Sequence, residues 1–163
     1  MVFADEFLPV YDVSDEVATV VAAEPHGVWE ALLDADLIEV GRRTPLAGLL
    51  GERLGEEIAL GLVGKFWRPV IEYAHVPADR FRDFGEPGYA KTVYALSVRP
   101  LADGRSLLSG LMRTATTDEY ARRWFRRYWT FGVGSGAHIL VHALLEMVRE
   151  TAESAQTAEE EER

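Results

Sequence analysis

The last third of the chain sets the tightest limit on its fold. Tyr120, Trp124 and Tyr128 recur every fourth residue, and Ala121, Phe125 and Trp129 form a second row beside them. Two adjacent rows at that spacing make one broad apolar stripe on a helix, here over 118–150. Arg122, Arg123, Arg126 and Arg127 fall on the opposite side. Thr116-Thr117-Asp118-Glu119 marks the start, a hydroxyl followed three positions on by a carboxylate, as in a capping box. Gly132, Gly134 and Gly136 predict a kink, after which Ala137, Leu140, Val141, Leu144, Leu145 and Val148 resume the pattern. Large aromatic rings on one helix face need a wide apolar surface to lie on. A sheet curled around the helix provides one, and its aromatic lining leaves a pocket.

The upstream residues supply such a sheet. Residues 11–22 alternate as a strand, with Tyr11, Val13, Val17, Thr19 and Val21 on one face; Asp15 breaks that face near an exposed end. Pro25 opens a helix that buries Val28, Trp29, Leu32 and Leu33 and ends near Asp36, with a short continuation through Leu37 and Ile38. Four glycines and a proline make 41–55 a loop with one short helix. Residues 57–67 read as a strand, with Gly61 and Gly64 marking a bulge or a close backbone approach. A short strand over 70–76 and a helical turn over 77–84, stopped by Gly85, follow. Residues 89–101 and 105–117 are long strands joined by Ala102-Asp103-Gly104, whose Asp-Gly supplies the positive φ of a hairpin. Ala90, Thr92, Tyr94, Leu96 and Val98 share one face of the first arm. In the second, Leu107, Leu111 and Ala115 compete with Leu108, Met112 and Thr114. The order predicts one α+β domain over 1–150, followed by an acidic, flexible tail over 151–163.

Composition removes several classes of function. There are no cysteines, so disulfides, thiolate nucleophiles and cysteine metal sites are excluded. The net charge is −10, and 150–163 supply half of it with six glutamates against one arginine. An acidic chain is a poor match for nucleic acid. The N-terminus reads as no signal peptide, and no window approaches the roughly 18 to 20 apolar residues of a membrane span, so a cytoplasmic location and no membrane insertion are expected.

Gly61-Leu-Val-Gly-Lys-Phe-Trp67, Glu86-Pro-Gly-Tyr-Ala-Lys91 and Ala121-Arg-Arg-Trp-Phe-Arg-Arg-Tyr-Trp129, in that order, resemble segments of uncharacterised bacterial members of the START-like superfamily. This is the helix-grip group of polyketide cyclases, dehydrases and lipid transport proteins. The strand followed by Ala-Glu-Pro-His-Gly-Val-Trp-Glu-Ala-Leu, the long hairpin and the aromatic last helix extend the resemblance over nearly the whole chain. It implies a curved antiparallel sheet gripping the C-terminal helix, with a cavity between them for a small hydrophobic molecule. No catalytic signature is common to that group, and none carries over.

The residues themselves nominate a binding set. Trp67, Tyr94, Trp124, Tyr128 and Phe131 offer apolar rings, some with polar tips. Lys91 and Arg113, in otherwise uncharged strands, would orient a polar or acidic end of the ligand if they point inward, because a buried cation needs a partner. A cyclase or dehydratase reading would use Tyr94, His75 or Glu72 as acid or base. An interaction module would use Arg122 and Arg126 to dock an acidic partner, such as the tail of a second copy in a homodimer. No cofactor or metal is expected. His138, His142 and Glu146 stand four apart, a row that reads as a solvated face rather than a metal site. Neither Gly61-Leu-Val-Gly-Lys nor Gly132-Val-Gly-Ser-Gly has the spacing of a phosphate or dinucleotide loop.

Overall fold

The computed structural model describes residues 2–35 and 48–163. Strands β1 (Val13–Val21), β2 (Gly48–Arg53), β3 (Glu57–Lys65), β4 (Glu72–Tyr73), β5 (Ala90–Pro100) and β6 (Ser106–Thr116) form one antiparallel sheet in the order β1-β6-β5-β3-β2, with β4 paired to β3. Helix α1 (Pro25–Asp34) follows β1, and a helical turn, α2 (Ala78–Phe81), precedes β5. Helix α3 (Glu119–Tyr128), a π turn (Trp129–Val133) and α4 (Gly134–Glu161) make up the C-terminal helix. The expected α+β helix-grip architecture is present.

Both faces of the sheet are covered. On one, Val141, Leu144, Leu145 and Val148 of α4 pack with Val28, Trp29 and Leu32 of α1 onto Val17, Val21, Ile58, Leu60, Leu96, Val98 and Leu108. Gly110 lets the helix seat closely, since a Cβ there would lie 2.7 Å from a Val141 methyl. Polar contacts tie α4 to the edge strand: His138 to Asp15, Thr19 to Glu146, and the Ala22 amide to Glu153. Four residues of strand, about 13 Å, match eight of helix, about 12 Å, so the two run in step. On the other face, Phe3, Ala4, Leu8 and Phe81 cover Ala59, Val63, Val93 and Ala95.

Several expectations need correction. Residues 48–53 form strand β2 rather than part of a loop; Gly51 is there because the rings of Phe3 and Phe7 occupy the space of a side chain. The proposed helical continuation through 37 and 38, and 41–47, lie outside the described residues. Gly61 makes room for the Leu50 side chain and Gly64 for the Glu72 carbonyl, while the register shift falls in β2, between Leu49 and Gly51. The α3 cap is Asp118, which accepts from the Ala121 amide at 2.7 Å, while the Thr117 hydroxyl serves Tyr89. The helix does not fray at 151. It continues to Glu161, because Ala152 is buried in the core and Glu153 holds the Ala22 amide. By length and composition an 18-residue window of the C-terminal helix would suffice to cross a membrane, against the sequence expectation, yet the helix lies along the sheet.

The N-terminal cover is an electrostatic clasp. Asp5 accepts from Arg113, and Asp12 accepts from the amide and hydroxyl of Thr116 and from Arg122. The Arg113 hydrogen bond holds the Asp5 carboxyl below its ordinary value; at Asp12 burial works the other way, and the Thr116 and Arg122 hydrogen bonds outweigh it. Both folded values are depressed, so the contribution is complete above the ordinary 3.8 and is withdrawn as pH falls through the folded values. Acidification from about pH 5 to about pH 2 is therefore expected to release the segment. Methyl NMR signals of Leu8 should move toward random-coil positions, and Asp5→Asn should show that shift already at neutral pH.

Candidate ligand-binding site

Register decides which side chains meet under the bent helix. Pairing places Leu60, Tyr94, Met112 and Asp15 in one row across β3, β5, β6 and β1. Leu62, Thr92, Thr114 and Val13 form the next row. Both rows lie on the helix side, and they sit beside the row of Gly110, which Val141 closes. The Thr92 and Thr114 hydroxyls satisfy each other at 2.8 Å. Above this floor α3 contributes Phe125, packed with Phe66 and Ala90 and flanked by Leu62, Trp67, Tyr73, Tyr128 and Trp129. The rings of Phe125 and Trp129 are 5.7 Å apart.

The roof bends because the helix is broken. Gly132 has φ 110°, which only glycine adopts without strain, and Phe131 also leaves helical geometry. The indole of Trp129 then lies where a Cβ of Gly134 would be, at 2.8 Å. At this bend a cleft of about 480 Å³ opens to the β1 edge, lined by Ser14, Asp15, Trp129, Gly134, Ser135, His138 and Ile139. His138 Nδ1 lies 2.7 Å from Asp15 Oδ2. An ionised carboxylate can only accept, so the proton of this contact is on Nδ1.

Three phenols gather at the inner side. Tyr73 pairs with Gly64 and Tyr94 with Leu60, on the same sheet face, and Tyr128 comes from α3. Burial, then the neighbouring phenols of Tyr128 and Tyr73, raise the Tyr94 hydroxyl above its ordinary value; burial and Tyr73 do the same to Tyr128. These groups stay protonated as donors at neutral pH. None of the three hydroxyls bonds another described residue.

The sequence-derived site residues divide three ways. Tyr94, packed against the main core, and Tyr128 and Trp67, packed around Phe125, lie on the helix side of the sheet. Trp124 (39% exposed) and Phe131 (85% exposed) do not pack there: Trp124 is one helical step off the buried row, and Phe131 sits in the π turn that swings it outward. Lys91 and Arg113 are on the opposite face, where both are buried. Lys91 donates to the carbonyls of Phe81 at 3.3 Å and Arg82 at 2.8 Å, and burial lowers its pKa. Arg113 pairs with Asp5 and lies over the Tyr11 ring. Neither can orient a ligand under the helix.

The acid–base set also separates. Glu72 opposes Lys65, pairs with Lys65 and Arg68, and faces away from Tyr94; His75 is exposed. Of the arginine face, Arg122 is engaged by Asp12 and Glu119, whereas Arg126 is exposed. Tyr73, Met112 and the Asp15–His138 pair, absent from the sequence-derived set, lie on the same side of the sheet as Tyr94. The signal was present in Asp15, a carboxylate interrupting an otherwise apolar strand face. Among the described residues no group of three His, Asp or Glu is placed to hold a metal ion.

No family model matches the chain, and no curated protein does. Solved structures do. A protein from Mesorhizobium loti is 13% identical, with 87% of this chain and 98% of that chain covered and a TM-score of 0.49. The Zhui aromatase/cyclase from a Streptomyces species is 17% identical, with 86% and 93% covered and a TM-score of 0.37. An HSP90 activator from Plasmodium falciparum is 12% identical, with 66% and 76% covered and a TM-score of 0.38. The architecture rests on the chain's own strand order and on the seat of its last helix: it is an α+β helix-grip fold.

Proposed function

We propose that the chain binds a small, largely apolar molecule between the sheet and the bend of its C-terminal helix. One contrast carries this reading. Where α4 is straight, Val141 presses onto Gly110 and the layers close. Where the helix bends, the floor meets aromatics and unbonded phenols, and a cleft opens at its Asp15 end. Apolar walls with a few convergent polar groups are what ligand sites require. The test is a filling substitution. Met112→Trp, in the floor between Tyr94 and Asp15, should abolish one-to-one binding of a naphthalene-based fluorescent probe seen by native mass spectrometry. Leu107→Trp, on the opposite face, should leave it intact. Equal binding by both variants would exclude this site.

A second reading is proton-transfer chemistry of the cyclase or dehydratase kind. One observation favours it: the Asp15–His138 pair ends the same cross-strand row that holds Tyr94, two strands or about 10 Å away. His138 would accept a proton and Tyr94 donate one. Loss of turnover in both His138→Gln and Tyr94→Phe, on a substrate whose enol form can be trapped, would support it. Unchanged turnover in His138→Gln would remove it.

A further inference from the structure

The charge pattern of the helix-side positions narrows the class of ligand, an inference that rests on the binding reading above. Along the described strands these positions are Val13, Asp15, Val17, Thr19 and Val21 in β1; Ile58, Leu60, Leu62 and Gly64 in β3; alternate residues from Ala90 to Val98 in β5; and alternate residues from Ser106 to Thr114 in β6. None is lysine or arginine. Both buried cations of the sheet, Lys91 and Arg113, have the opposite parity and are already engaged across the other face. The formal charges on the helix side are carboxylates, Asp15 in β1 and Glu52, opposite Ile58, in β2. α3 turns Ala121 and Phe125 toward the sheet and leaves Arg123, Arg126 and Arg127 exposed.

An anion entering there would lose its water and meet no lysine or arginine from these elements. An uncharged oxygen acceptor would lose far less and would meet phenolic donors at Tyr94, Tyr73 and Tyr128. A carboxylate or phosphate ligand is therefore disfavoured, and a ketone, quinone or ether oxygen fits. We infer that the site selects an uncharged, mostly apolar molecule whose carbonyl-type oxygen accepts a hydrogen bond from Tyr94.

Two probes of similar size separate the cases: a neutral propionyl-dimethylaminonaphthalene ketone and the anionic anilinonaphthalene sulfonate, each titrated by fluorescence. The ketone should bind at least about ten-fold more tightly than the sulfonate. Tyr94→Phe, which keeps the ring and removes the donor, should weaken the ketone about 5–10-fold and leave the sulfonate unchanged. Should that variant unfold, Tyr73→Phe, in the two-residue strand at the sheet margin, repeats the test. A sulfonate bound as tightly as the ketone would overturn the ligand class and leave the binding site standing. Ketone affinity unchanged in a folded Tyr94→Phe would overturn the role of the phenol. Binding of neither probe would overturn both the class and the site.

Discussion

Leu145→Ala is expected to lower the unfolding free energy by about 2–5 kcal/mol, whereas Leu140→Ala changes it by no more than about 0.5 kcal/mol. The two leucines look alike in the sequence, five residues apart in one helical pattern. Leu145 has no exposed surface and packs against sheet and α1 together, while Leu140 is 58% exposed. The difference follows from the seat of the helix. Val141 sits close over Gly110, and the residues that follow at helical spacing, Leu144, Leu145 and Val148, are buried in the core. Leu140, one residue off Val141, faces solvent. Removing Leu145 leaves a cavity that two layers already pinned by other side chains cannot collapse to fill. Urea unfolding with an unchanged slope would check both values. Equal losses at the two positions would mean that α4 is seated differently from the arrangement described.

The face of β5 was readable from alternation alone. Ala90, Thr92, Tyr94, Leu96 and Val98 all lie on the helix side, as their spacing predicts. The same parity places Lys91 on the other side from Tyr94, and the pairing of Val93 with Arg113 sends that arginine there too. The error was to judge both cations by their rarity in a strand rather than by position. The second hairpin arm was ambiguous for a physical reason: both faces are covered. Leu111 and Ala115 lie beneath the N-terminal cover, and Leu108 lies beneath the helix, so both sets are apolar. Strand β2 was hidden because glycine usually marks loops, yet Gly51 serves packing against Phe3 and Phe7. The kink was legible from its glycines, but its consequence for Phe131 was not, since a π turn breaks the period on which the stripe was counted.

That break makes the packing of α3 depend on one large apolar anchor. Phe125→Ala is expected to cost about 3–5 kcal/mol, with the loss concentrated in α3. A helix of ten residues is marginal in water, and what holds it is the packing of its apolar side. Phe125 is the large buried residue of that side, set against Phe66 and Ala90 and in contact with the Tyr128 and Trp129 rings. The non-helical dihedrals at Phe131 and Gly132 break the α-helical geometry between α3 and α4, which a π turn bridges with the Gly134 amide on the Trp129 carbonyl. Tyr120, 58% exposed, provides the control: Tyr120→Ala should shift stability by no more than about 0.5 kcal/mol. Amide exchange gives the sharper readout. In Phe125→Ala, protection should fall across 119–128 while the amides of Val141, Leu144 and Val148 keep theirs. Ketone-probe affinity should fall with it, because Tyr128 and the aromatic wall leave with the helix. If exchange instead accelerated equally in α3 and α4, the two would form one cooperative unit, and the bend could not act as the separate roof over Tyr94 on which the binding site depends.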